Sequence, residues 1–240
     1  MPVKSRPGFQ TNVDRTSKGV ARGTVYLDIK PDQTLNLRFT PTSNEDGDVF
    51  FESAQHFKFR HENEKRAFAC LRVHGNEETG TECPICEALE AAEQTMSKKD
   101  FKKFADLHKQ SLRWHAQVIP VYPEDAPKAD QTFIIGLSQT TAQKVSKILK
   151  NERDMRQPLL TDPDEGQIIQ ISRTGSGFNT EYDVLPLGVR VGLDALLPTW
   201  ESKFLNTEKA LKLRVEDRAT LLEAMEETFG AALFQELGIA

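Results

Sequence analysis

All three cysteines of this 240-residue chain fall between Cys70 and Cys86. Cys83-Pro-Ile-Cys86 places two thiols two residues apart, a turn that can present both sulfurs to one ion. Cys70 precedes Cys83 by twelve intervening residues, a usual distance for the other half of a tetrahedral zinc site. A fourth ligand must come from a histidine. His74 follows Cys70 with three residues between, His61 precedes it with eight, and His56 precedes it with thirteen. Strand parity does not choose among them, because a slip of one residue reverses which side chains face inward. A redox CxxC would belong at the strand–helix junction of a parallel βαβ unit, and no such pattern precedes Cys83. A catalytic zinc needs an open position and a general acid/base. The nucleobase-deaminase pattern, H-x-E with P-C-x-x-C, is absent, and here the proline follows the first cysteine. Structural zinc is the reading the spacing favours, with one ion per chain.

The second chemistry lies in aromatics beside cations. Phe57-Lys58-Phe59-Arg60, Arg113-Trp114-His115, and Arg173 with Phe178 and Tyr182 sit on strand-like runs. In single-strand binders Lys and Arg track phosphates while exposed aromatics stack on bases. The blander alternative places the aromatics in the core and the cations in water. No G-x-x-x-x-G-K-[ST] occurs, so an ATP-driven motor is not expected. No Ser/His/Asp set is suggested by spacing.

These residues need elements to hold them. Alternation predicts strands at Thr34–Thr40 and near Val49–Phe51, then a hairpin from Gln55 to Gly75 with a polar tip at Glu62–Lys65. Composition predicts one helix from Glu87 to Leu112. Strands follow at Trp114–Val121 and Gln131–Leu137, then a helix at Ser138–Asn151 capped by Ser138. A second hairpin spans Gln167–Arg173 and Thr180–Leu187 around Gly175-Ser-Gly177, and the C-terminal segment reads as an amphipathic helix. The class is α+β around a small barrel or sheet.

Charge bounds the partners. The net charge is −5, yet it is polarised. Residues 1–30 carry six cations against Asp14 and Asp28, while residues 216–240 carry six acids against Arg218. The basic front reads as a flexible arm, and the acidic back does not exclude a polyanion partner. No apolar run has the length of a membrane span, and the opening MPVKSRPGFQ predicts no secretory signal. Few, unevenly numbered cysteines predict a reducing cytoplasm.

Four stretches in series resemble the T-even-phage single-stranded-DNA-binding (helix-destabilising) protein family. ACLRVHGNEETGTECPICEALE resembles its zinc segment, and SLRWHAQVIPVYPEDAP its following strand and acidic loop. FIIGLSQTTAQKVSKIL resembles its strand-then-helix segment, and EGQIIQISRTGSGFNTEYDVLP its late hairpin. Together they cover roughly residues 50–190. The resemblance implies an OB-fold β-barrel core with an inserted zinc-ribbon-like subdomain and peripheral helices. It implies an arm at 1–30, a core at 31–200 with the zinc subdomain near 52–112, and an acidic helical tail at 201–240. It implies zinc on His56, Cys70, Cys83 and Cys86, with His74 the runner-up. DNA-facing residues are implied at Trp114, Phe178 and Tyr182, supported by Lys58, Arg60, Arg72, Arg113 and Arg173.

The implied function is non-enzymatic and sequence-nonspecific. Such a protein coats single-stranded DNA in phage replication, recombination and repair, in the host cytoplasm. Cooperative self-association on DNA and replication partners for the acidic tail come with it. The family's basic arm is matched only by Lys4-Ser5-Arg6, and this tail is richer in Leu, Phe and Ala. The alternative function is a zinc-ribbon adaptor that binds a protein through the Thr220–Leu237 helix. A zinc-dependent nucleic-acid enzyme is a third, weaker reading.

Overall fold

The computed structural model describes residues 26–41, 49–122, 129–176, 179–211, 213–231 and 233. The chain forms two compact units. One is drawn from Met1–Phe51 and Trp114–Ala210, the other from Glu52–Arg113 and Leu211–Ala240. The expected basic arm falls largely on residues 1–25, outside the described residues.

The first unit is a sheet with helices. Its strands are β1 (Tyr26–Leu27), β2 (Gln33–Phe39), β5 (Ser111–Pro120), β6 (Phe133–Leu137), β7 (Gln167–Thr174) and β8 (Glu181–Arg190). They pair in the order β1-β6-β5-β2-β7-β8. All these pairings are antiparallel except β1 with β6. The expected α+β class holds, but among the described residues this path stays open and no closed barrel forms. Chemistry at its end explains part of this. In β8, Pro186 has no N–H to donate and Gly188 adopts φ 68°, features confined to sheet edges and bends.

Alternating Leu35, Leu37 and Phe39 meet Ile169 and Ile171 inside, a period-two face packed beneath helix α4 (Gln139–Asp154). Ser138 starts α4 as expected, its hydroxyl accepting from the Thr141 N–H. Ala142 and Val145 turn its apolar face to the core. Each fully buried Leu, Ile or Phe contributes about 1.5–3 kcal/mol.

One polar side chain ties this unit together. Arg38 is fully buried, and its guanidinium donates to the carbonyls of Phe39, Leu160, Asp162 and Val191. Burial lowers its pKa to about 10, while Asp162 and Glu152 oppose that shift. A Cβ on Gly166 would collide with this guanidinium, so the close approach requires glycine.

The second unit begins with the hairpin β3 (Phe51–His61) and β4 (Glu64–Ala69). Its turn is shorter than the expected Glu62–Lys65 tip. Glu62 and Asn63 take φ 55° and 65°, the left-handed pair of a tight two-residue hairpin. Helices α1 (Leu71–His74), α2 (Pro84–Thr95) and α3 (Lys98–His108) follow. The single helix expected over Glu87–Leu112 is thus two helices that end before β5. Ser97 causes the break by capping α3 from the Asp100 N–H.

Beyond α5 (Leu193–Leu196) and α6 (Thr207–Leu211), α7 (Arg218–Phe229) completes the second unit. Asp217 caps α7 at Thr220 N–H, 2.8 Å away. Leu221, Ala224 and Met225 are buried with Phe59, Phe68 and Ile85.

Candidate metal centre and nucleic-acid interface

Three local devices bring the thiols together. Cys70 ends β4 and caps α1, its N–H donating to the Ala54 carbonyl at 2.8 Å. Cys83 caps α2, Pro84 occupies the first helical turn, and Cys86 follows within that turn. Both thiols thus belong to the N-terminal end of α2, where the positive end of the helix dipole favours thiolate. The intervening loop closes because Gly75 meets the Gly80 and Leu71 carbonyls, where any Cβ would clash. The Asn76 side chain accepts from the N–H groups of Glu78 and Thr79 at 2.9 and 3.0 Å, fixing the loop.

The histidine arrives through a β-bulge. Simple alternation would put positions 56 and 59 on opposite faces of β3. The register against β4 instead shifts between His56 and Phe59, with Lys58 at φ 67°. One extra residue lets Ala54, His56 and Phe59 all point inward, each fully buried.

The four ligand atoms of His56, Cys70, Cys83 and Cys86 lie within 4.8 Å of one another, all buried. His56 Nε2 is 3.5 Å from Cys83 Sγ and 3.6 Å from Cys86 Sγ, and Cys70 and Cys86 sulfurs are 3.6 Å apart. That separation is far beyond a disulfide bond. A tetrahedron with Zn–S and Zn–N bonds of about 2.3 and 2.0 Å has edges of about 3.5–3.8 Å, and these three separations match them. The other ring nitrogen, Nδ1, donates to the His108 carbonyl at 2.9 Å and aims Nε2 at the sulfurs.

The electrostatics suit a cation. Burial pulls the His56 imidazole down, but hydrogen bonds with Cys70 and Cys83 bring it up to about 9. Hydrogen bonds from Cys70 and Cys86 pull Cys83 well below the usual thiol range, against burial. The cluster is compatible with one structural metal ion. With four donors, no coordination position is left open for water.

The other histidines stand apart. His74 Nε2 accepts from the Ala54 N–H at 3.0 Å, so it ties α1 to β3. His61 lies beside Arg66, Glu62 and Glu223. His108 was not singled out by sequence. It packs against Phe59, Phe104 and Phe229 with ring centroids 4.9–5.0 Å away. Its pKa falls to about 4, through burial first, with Lys58 and His56 repelling charge and a Phe57 backbone hydrogen bond opposing.

The residues expected to face DNA divide between the units. In the first, Trp114 is half-buried on β5 opposite Leu137. Arg173 and Tyr182 are cross-strand partners on the β7–β8 hairpin. The Arg173 guanidinium lies 5.9 Å from the Tyr182 ring centroid and donates to the Ile29 carbonyl at 2.7 Å. The pair forms a cation–π ledge with the cation held at a fixed height. Phe178 lies outside the described residues. Lys144, not singled out by sequence, donates from α4 to the Tyr182 carbonyl at 2.6 Å. Its place on the exposed face of the expected Ser138 helix was the available signal.

In the second unit Lys58, Arg60 and Arg113 are exposed. Arg72 is not free, because it forms a two-pronged ion pair with Glu90.

The sequence matches the family described as gp32 DNA binding protein like over residues 33–219. A search of curated proteins returns no match. Among the described residues no helix is long and apolar enough to cross a membrane.

Proposed function

The chain belongs to the gp32-like DNA-binding protein family, and from that premise we propose that it coats single-stranded DNA without sequence preference. The observation that carries this reading is the family match over residues 33–219, which spans β2 to β8, the Arg173–Tyr182 ledge and the Cys/His cluster. The first unit is read as an OB-type DNA-binding core. Trp114 and Tyr182 supply stacking surfaces, with Phe178 beyond Gly177, and Arg173, Arg113, Lys58 and Arg60 supply phosphate contacts. Arg72 contributes only where its pairing with Glu90 gives way.

His56, Cys70, Cys83 and Cys86 hold one zinc ion whose role is to fix the fold of the second unit. The full donor set supports a structural rather than a catalytic ion. The protein is read as a non-enzymatic component of phage replication, recombination and repair in the host cytoplasm. Cooperative self-association through the basic 1–30 arm and recruitment of replication proteins by the acidic C-terminal residues complete the proposal. The adaptor alternative loses support, because α7 spends Leu221, Ala224 and Met225 inside its own unit.

Titration of Trp114 fluorescence with oligo(dT) at two salt concentrations tests the reading, with buried Trp200 as a constant background. Quenching at low salt, with affinity that falls as salt rises, is expected. Tyr182→Ala should weaken binding by about 1–3 kcal/mol. Absence of quenching at low salt would sink the proposal.

A further inference from the structure

Helix α3 carries a charge pattern that its own fold does not explain. Its sequence KKDFKKFADLH turns Phe101, Phe104 and His108 toward the unit's interior. Lys98, Lys99, Lys102 and Lys103 occupy the other side, all exposed, with Lys109 just beyond the helix end. Lys103 and Lys109 reach Asp100 and Asp106 at 3.8 and 3.7 Å. Lys98, Lys99 and Lys102 have no acidic partner among the described residues.

The arrangement works against helix stability. Lys98 with Lys102, and Lys99 with Lys103, are like charges four residues apart, a repulsive spacing. Lys98 and Lys99 also occupy the first turn, where the helix dipole disfavours cations. Only the Ser97 cap and Asp100 offset this. Lys98, Lys99 and Lys102, placed against local rules and left without an acidic partner among the described residues, point to something outside the fold.

The bulge in β3 supplies a second, independent observation. The extra residue that turns Phe59 inward leaves two consecutive side chains outside, Phe57 and Lys58, with Phe57 41% exposed. A bare phenylalanine alone would need no explanation. This one lies at the C-terminal end of α3, since the Phe57 backbone hydrogen-bonds His108 and Lys58 repels charge on that imidazole. With Phe57 and Lys58 at one end of the helix and the unpaired ammonium groups of Lys98, Lys99 and Lys102 toward the other, α3 offers both terms of single-strand binding, stacking and phosphate attraction. Helix α3 is about 16 Å long, so a single strand laid along it presents more than one phosphate to its lysines.

We propose that α3 and the Phe57–Lys58 bulge form a further single-strand contact on the second unit, with Lys98, Lys99 and Lys102 on phosphates and Phe57 stacked on a base. The inference rests on the single-stranded-DNA reading above and extends it from Lys58 to Phe57, Lys98, Lys99 and Lys102, to which neither the family match nor the sequence resemblance assigns a role.

The test uses the full chain loaded with zinc. Oligo(dT) affinity is measured across a salt series for the unaltered protein, for a Lys98→Gln, Lys99→Gln, Lys102→Gln triple variant, and for its Lys→Arg counterpart. Zinc content and thermal melting are recorded for each to show that the second unit remains folded. The triple Gln variant should lose about 2 from the salt slope, at about 0.7 per phosphate contact on a single strand. The Arg counterpart should restore the slope. Phe57→Ala should weaken binding by about fivefold or more without changing the slope, as expected for a lost stacking contact. If the unaltered protein binds while the Gln variant keeps both slope and affinity, α3 is only a solvated face and the inference is overturned. If the unaltered protein does not bind at low salt, the broader DNA reading fails first.

Discussion

Each unit gathers distant segments of chain around one buried polar centre, but the two centres differ in kind. In the first unit the centre is the Arg38 guanidinium, which holds four carbonyls on the face of β2 opposite a core built from large side chains. Only Ala116 and Ala142 are small among that core's buried members. In the second unit the centre is the His56, Cys70, Cys83 and Cys86 set, and its buried neighbours include Ala54, Ala88, Ala92 and Ala224. Alanines and thiols bury little apolar area, so hydrophobic burial supplies less there. A sheet that can stack Leu, Ile and Phe across several strands needs no metal. A short hairpin with small helices lacks that surface and gathers metal donors instead.

Removing the ion should separate the units most sharply. A chelator, or Cys83→Ser, should unfold β3, β4 and α2 while leaving β2 and β7 protected. Structural zinc contributes apparent free energies on the order of 10 kcal/mol in small metal-dependent domains. Hydrogen exchange reads the result, and equal loss of protection in both units would break the contrast. Zinc affinity should also rise with pH, because His56, whose pKa is raised to about 9, and the thiols must give up protons to the metal.

The converse variant is Arg38→Met. It leaves several buried carbonyls without a donor and should cost the first unit about 3–5 kcal/mol, with zinc content per chain unchanged. Loss of zinc in that variant would show that the two centres are not independent.

Within the second unit, His56→Ala should lose bound zinc while His74→Ala keeps it. The latter should still destabilise by about 1–3 kcal/mol, since the Ala54 N–H loses its acceptor. Zinc retained in His56→Ala and lost in His74→Ala would reverse the assignment of the ligands.

The smallest effect belongs to α7. The Glu227 carboxylate accepts from the N–H groups of Glu62 and Asn63, each at 2.9 Å, and Thr228 Oγ1 from the Arg60 N–H at 2.7 Å. Glu227→Gln weakens two charge-assisted bonds at an exposed turn and should cost about 1 kcal/mol, seen as faster exchange at those amides. No change in exchange at Glu62 and Asn63 would show that this docking contributes nothing to the unit's stability.

Features governed by neighbours in sequence were legible in advance. The Ser138 cap, the turn after β3 and the thiol spacing all depend on contacts a few residues apart. The Ser97 cap was equally local, yet the apolar spacing of Phe101, Phe104 and Ala105 suggested one continuous helix. Long-range features were not legible. Arg38 reads as the outward partner in an alternating strand until Leu160 and Asp162 fold over it. The pairing of Tyr26–Leu27 with β6 depends on residues more than a hundred positions away. Residue chemistry alone could not select His56, because an added residue in β3 reverses the parity on which such a choice rests. The family resemblance pointed to it instead.

The order in which the chain visits its two units has a consequence for assembly during synthesis. The ribosome completes the hairpin and all four metal donors early, but α7, which supplies Leu221, Ala224 and Met225 to the same core, emerges only after the whole first unit. Until then the metal loop must hold a half-finished interior. Such far-separated contacts close slowly. Early capture of the ion would protect the nascent thiols from oxidation during that wait and give the late helix a formed surface on which to dock.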